Sequence, residues 1–202
     1  MSANKIKRGN NVMVRNMKIC KYFLAVFAAI LTFQSVVLLI NFCSFLWTSP
    51  EQIFVTQTES AVKVQAFIGY FQLSSQYLPI NDNLEVSAKV FGASIVAITL
   101  FFEKIPSFLV LWKVAQILQK MTSSPFSNEI CRKIKEVGWI IVYFGLLQKL
   151  LFQSCISLIC YHKFWINNPI NLMLLFAGAV ILLIGDIFVY GCELQKENDE
   201  VL

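Results

Sequence analysis

Three ionisable residues stand inside otherwise apolar runs: Glu103, Lys149 and Asp186. A charge in such a run is costly unless it pairs or faces water. Each is therefore a candidate for a packing pair, for a cation or proton path, or for a polar socket that holds a partner helix. Counted from the start of its run at Val137, Lys149 lies about 18 Å along a helix. Counted back from Lys113, Glu103 lies about 15 Å along its own. These depths match, so a Glu103–Lys149 pair is expected. Asp186 lies only about 7.5 Å from the end of its run. Lys104, or the basic turn at 132–135, is its expected partner.

The chain has six cysteines and one histidine. Cys43, Cys155 and Cys160 fall near one end of the apolar runs, and Cys20, Cys131 and Cys192 near the other. The first three could support a disulfide or thiol exchange in an oxidising compartment. No Cys-x-x-Cys is present, and the spacing of Cys155 and Cys160 does not stack them on a helix. The second three lack a nearby histidine to complete a metal site. Cysteine as a small buried hydrophobe is the expected role. His162 sits in a loop beside aromatic residues and is read as interfacial. No phosphate loop, zinc-protease helix or serine nucleophile elbow is found, so no catalytic, cofactor-binding or metal-ligating residue is assigned.

Composition says what must position these groups. Of 202 residues, 57% are hydrophobic and 14% charged, against about 25% charged in a soluble domain. The apolar residues come in blocks long enough to cross a bilayer core of about 30 Å. Residues 22–47 carry no charge. A secretory signal has a shorter apolar part and a small-residue cleavage site, whereas this block ends in Phe45, Leu46 and Trp47. A retained helix is expected. Residues 137–161 and 170–191 carry one charge each. The 86–112 block is less clean, with Glu103, Lys104 and Pro106 inside it.

Crossing parity decides that block. Lys5, Lys7, Arg8, Arg15, Lys18 and Lys21 precede the first run, and Lys113, Lys120, Arg132, Lys133 and Lys135 lie at 113–136. The 48–85 segment has only Lys63, and the 162–169 turn only Lys163. The positive-inside rule puts both basic segments in the cytoplasm, with an even number of crossings between them. The expectation is one all-α membrane domain over 1–202: an integral four-helix bundle with cytoplasmic termini and a small extracytoplasmic insertion at 48–85. Its helices are expected near 22–47, 86–112 (continuing to 121), 137–161 and 170–191, with a cytoplasmic hairpin at 113–136.

The hairpin has internal logic. Pro125 restrains the chain, Ser127 can cap a helix, and Glu129 suits its first turn. Phe126, Ile130, Ile134, Val137 and Ile141 share one helical face, with Glu129, Arg132, Lys133 and Glu136 on the wetter side. Val110, Val114, Ile117 and Met121 repeat the pattern on the preceding helix, which Pro106 bends or tilts. The basic side is expected near anionic headgroups; direct nucleic-acid binding is not expected. In 48–85, alternation places Val62, Val64, Ala66, Ile68 and Tyr70 on one side of a strand or hairpin, and 77–83 reads as a turn. Ala177, Gly178, Ala179 and Gly185 form a small-residue surface on the last helix, and Gly92 and Ala93 allow close approach of the second. Tyr143, Gly145 and Gln148 are expected to extend the polar contact around Lys149.

The second half resembles the DUF2975 family of small bacterial four-helix membrane proteins. The resemblance rests on Pro125, Phe126, Asn128 and Glu129, then Gly138, then Asp186, Gly191, Glu197, Asn198 and Asp199. Asp186 stands where the family commonly has Glu, and Val189–Tyr190 where basic residues are usual. The resemblance covers roughly 87–200. It implies a multi-pass protein of the bacterial cytoplasmic (inner) membrane and no established reaction. The functional expectation is a non-enzymatic partner-binding or regulatory component, in contact with the lipid bilayer and a membrane partner or a second copy. A small transporter or channel component using the three charges is the alternative. A thiol–disulfide oxidoreductase is the third reading.

Overall fold

The computed structural model describes residues 2–58, 61–74, 78, 84–121 and 128–201, with side chains from residue 15 onward except those of 196 and 199–201. Helix α1 covers Ser2–Trp47, α2 Ala88–Thr99, α3 Ile105–Lys120, α4 Asn128–Tyr161 and α5 Leu172–Val201. A π-turn, Leu100–Lys104, joins α2 to α3 into one continuous rod. Four of the resulting helices are long and apolar enough to cross a membrane, over Arg15–Trp47, Ala88–Lys120, Asn128–Tyr161 and Leu172–Gln195. The helices outrun the apolar blocks. α1 begins before residue 22 and α5 continues past residue 191, because polar residues of good helix propensity extend a helix that the apolar block has nucleated.

Ser49 and Pro50 end α1 in a short 3-10 turn at Pro50–Gln52. Strands β1 (Val55–Thr58), β2 (Ala61–Gln65) and β3 (Tyr70–Ser74) follow as an antiparallel sheet in chain order. In β2, Val62 and Val64 are buried while Lys63 and Gln65 point out. Val62 pairs with Leu73 and Val64 with Phe71. The expected run through Ala66, Ile68 and Tyr70 does not stay on that face. Gly69, at φ +82°, turns the chain, the Ala66 N–H donates to the Gly69 carbonyl, and Ile68 and Tyr70 end up exposed. Glycine takes this left-handed conformation without steric cost.

The sheet covers one end of the helices. Val62, Val64, Phe45, Phe91, Ile95, Val96, Ile156 and Tyr161 form one buried core there. Gly92 admits the Phe45 ring, which a β-carbon would meet at 2.7 Å. At the opposite end, Ile117, Ile130 and Val137 form a second core, with Val110, Val114, Met121, Ile134 and Ile141 packed against it. This is the amphipathic face legible in both helices. Pro125, Phe126, Ser127 and, of the expected 77–83 turn, all but the buried Leu78 lie outside the described residues.

α4 and α5 approach closely through paired glycines. A β-carbon at Gly178 would meet Val142 Cγ2 at 2.7 Å, and one at Gly138 would meet the Leu182 side chain at 2.8 Å. Gly145 lies against the backbone of Leu175, and Gly185 against Lys135. Small residues let the two backbones approach closely. α5 presents Leu172, Met173, Phe176, Leu183 and Ile187 outward, and α1 presents Phe23, Phe27 and Phe33.

Candidate functional site

A cavity of about 320 Å³ opens beneath β3, between α2, the π-turn, α4 and the start of α5. Gln72, Thr99, Glu103, Gln148, Lys149 and Asn171 supply its polar wall. Phe71, Leu73, Ile95 and Phe152 supply the apolar wall. Gln72 stands at the sheet end. Asn171 lies level with Gly145, one turn farther from the sheet than Lys149; Thr99, Glu103 and Lys149 stand on the long apolar helices.

Two of the three charges singled out by sequence, Glu103 and Lys149, line this one cavity, yet the expected pair does not form. Glu103 Oε1 instead accepts from Lys104 Nζ at 2.8 Å. The reason is azimuth. The π-turn closes with the Ile105 N–H donating to the Leu100 carbonyl, five residues back. It lies just before Pro106, which has no N–H to give and whose ring disfavours a regular turn. Within this turn Glu103 is aimed at the cavity and Lys104 at α1.

Lys104 is buried, with its side chain 11% exposed. Its ammonium also donates to Gln34 Oε1 at 2.9 Å. Gln34 lies in the middle of the uncharged 22–47 run. Lys104 therefore does not reach Asp186. Asp186 Oδ1 instead meets Lys135 Nζ at 2.6 Å, the basic turn being its partner, with the aspartate side chain 69% exposed. Lys149 is half-buried and, among the described residues, has neither an ion pair nor a hydrogen bond. Of its expected polar neighbours only Gln148 lines the cavity. Tyr143 stacks on Trp139 at 5.8 Å, and Gly145 belongs to the α4–α5 contact.

Two amide side chains fasten the roof of the site, and neither stood out in the sequence. Asn41 of α1 is 1% exposed. Its Oδ1 accepts from the Ile68 N–H at 2.9 Å, and its Nδ2 donates to the Ile68 carbonyl. This clasps the β2–β3 turn. Gln153 of α4, equally buried, does the same to Asn167: Oε1 accepts from its N–H at 2.9 Å and Nε2 donates to its carbonyl at 2.7 Å. Ser157 Oγ lies 3.1 Å from the Trp165 carbonyl. Both polar groups of one residue's backbone are satisfied each time, which lets irregular backbone sit on an apolar core. The available signal was an amide in an apolar run, one of two in each.

The loop residues have structural duties. His162 takes φ 49° just past α4 and ends the helix in a left-handed conformation. Asn171 starts α5: its Oδ1 accepts from the Leu174 N–H, and its own N–H donates to the Gly145 carbonyl.

At the other end the basic residues of α3 and α4 are paired. Lys113 Nζ meets Glu136 Oε2 at 2.7 Å, Lys120 meets Glu129, and Lys133 lies 3.7 Å from Glu129. Asn128 and Glu129 are exposed in the first turn of α4; Glu197 and Asn198 are exposed on α5, and Gly191 has open space beside it. Asp199 lies in α5, its side chain outside the described residues. All six cysteines are free. Of the three grouped near the basic end, the fold brings two together: Cys131 Sγ and Cys192 Sγ lie 3.3 Å apart, both buried, while Cys20 is exposed.

No family model, no curated protein and no solved structure matches this chain.

Proposed function

We propose that the protein is a multi-pass membrane component that works by binding, with the cavity beneath β3 as its binding site. The observation that carries this reading is the placement of Glu103 and Lys149 on one cavity that begins at the sheet and descends between long apolar helices. A pocket with mixed apolar walls and a few convergent polar groups is the usual form of a ligand site. Charges on long apolar helices are functional candidates when they face a cavity.

In this reading the four helices span the bilayer. The exposed apolar faces of α1 and α5 meet lipid, the sheet lies outside, and both termini lie in the cytoplasm. The basic bias of 1–21 and 113–136 supports that orientation. The membrane is then the bacterial cytoplasmic membrane that the DUF2975 resemblance implies, and that resemblance is itself part of the proposal. Occupancy of the cavity is read by a membrane partner or a second copy through the sheet, which roofs it. A transporter is the second reading, favoured by the descent of the cavity to Glu103 and Lys149.

A photo-crosslinking residue placed at Gln72, on the cavity wall, tests the binding reading in native membranes. The expected result is a reproducible adduct at Gln72 that is absent from the same probe at exposed Thr56. Equal yields at both positions contradict it.

A further inference from the structure

Lys149 gives the cavity a sign. Its lining holds one ammonium group, Lys149, and one carboxylate, Glu103, which is paired with Lys104 outside the cavity. Lys104 is turned away toward Gln34 and is already paired with Glu103. The positive charge left over is that of Lys149, whose ammonium has no protein partner among the described residues. A partly desolvated ammonium without a counter-ion is unfavourable, and an anion beside it offsets that cost. Gln148, Gln72 and Asn171 line the same space, and their amide N–H groups can donate to oxygen atoms. Phe71, Leu73, Ile95 and Phe152 fit an apolar body. The volume, about 320 Å³, is at the small end of ligand sites.

We propose that this cavity binds an amphiphilic monoanion, an acidic oxygen group on a short apolar body, with Lys149 as its counter-ion. The proposal rests on the cavity being the binding site. A free carboxylic acid and the headgroup of an acidic lipid share this chemistry. Glu103 keeps dianions out, since a second negative charge on the ligand would lie near its carboxylate.

The test uses the full chain carrying Thr99→Cys in vesicles of phosphatidylcholine, and follows reaction at position 99 by peptide mass spectrometry. Two small thiol reagents are compared, an anionic sulfonatoethyl and a cationic trimethylammonioethyl methanethiosulfonate. The anionic reagent is expected to be favoured about tenfold over its ratio on a free thiol, as a nearby charge in a half-wet site requires. Lys149→Met is expected to abolish that preference and Lys149→Arg to keep it. Octanoate is expected to slow the reaction with Lys149 present; octanamide is not. Phosphatidylglycerol added to the vesicles gives the same protection if the natural anion is a lipid, and none if it is a free acid.

No reaction of the introduced thiol with either reagent means a sealed cavity and overturns the binding site along with this inference. Reaction without charge preference and without octanoate protection leaves the binding site standing and overturns the anion. The reagent ratio and octanoate protection in the Lys149 protein decide the matter even if Lys149→Met does not fold.

Discussion

Lys104 Nζ lies 2.9 Å from Gln34 Oε1, joining the second apolar helix to the first at the middle of an uncharged run. Among the described residues the amide is the neutral acceptor for this ammonium and Glu103 the charged one. A buried cation that loses a partner is penalised more than a bond is worth, because its desolvation is left uncompensated.

Gln34→Leu should therefore destabilise the protein by about 1–3 kcal/mol. Adding Lys104→Met should recover much of that loss, since the two residues act as one unit. Thermal unfolding of purified single and double variants in one detergent checks this. Additive losses would show that the two side chains do not depend on each other.

The amide clasps lead to a second expectation. Asn41→Leu and Gln153→Leu each remove two hydrogen bonds that hold a loop residue's backbone, at about 0.5–1.5 kcal/mol apiece, so each should cost about 1–3 kcal/mol. The consequence should be local. Hydrogen exchange should rise at 66–70 in the Asn41 variant and at 165–168 in the Gln153 variant. Uniform acceleration over all helices would instead mean global loosening.

Gly178 makes the sharpest demand on space. A side chain there would meet Val142 Cγ2 at 2.7 Å, the Val142 backbone nitrogen at 2.9 Å and the Gly138 carbonyl at 3.1 Å. Two of these atoms belong to backbone and cannot swing away. Gly178→Leu should part α4 from α5, with a stability loss of about 1–3 kcal/mol from overpacking. Gly191→Ala has open space on all sides and should be close to neutral. Unfolding midpoints of the two variants make the comparison; equal losses would contradict the close packing.

The thiols at the basic end give a fourth expectation. Cys131 and Cys192 are 3.3 Å apart, so a short oxidative treatment of detergent-solubilised protein with diamide should join them. A disulfide needs the sulfurs at about 2.05 Å, a small further approach. Peptide mapping should find that linkage, and Cys192→Ser should remove it. Its absence under oxidation that links other cysteines would place α5 differently.

Much of this architecture was legible because apolar periodicity reports directly on burial. Ile130, Val137 and Ile117 were expected on one seam and share a core. Val62 and Val64 were expected on one face and share another. Asp186 was expected to meet either Lys104 or the basic turn, and it meets Lys135 of that turn. What failed was direction. Counting residues gave Glu103 and Lys149 the same depth, and depth alone made them a pair. A pair also needs both side chains to point across the same gap with no nearer partner. The π-turn changes the aim of Glu103, and Lys104 is its neighbour in the chain. Asn41 and Gln153 were missed for a related reason. Their partners are backbone atoms in loops, which leave no mark in a side-chain pattern.

The account depends most on the sheet end and the tail lying on opposite sides of a membrane. Two variants, Thr56→Cys in β1 and Asn198→Cys in α5, can be read separately in sealed right-side-out vesicles with an impermeant thiol reagent and peptide mass spectrometry. The account predicts that the thiol at position 56 reacts in intact vesicles and that the thiol at position 198 reacts only after they are opened. Reaction at both positions, or at position 198 alone, before opening would contradict it.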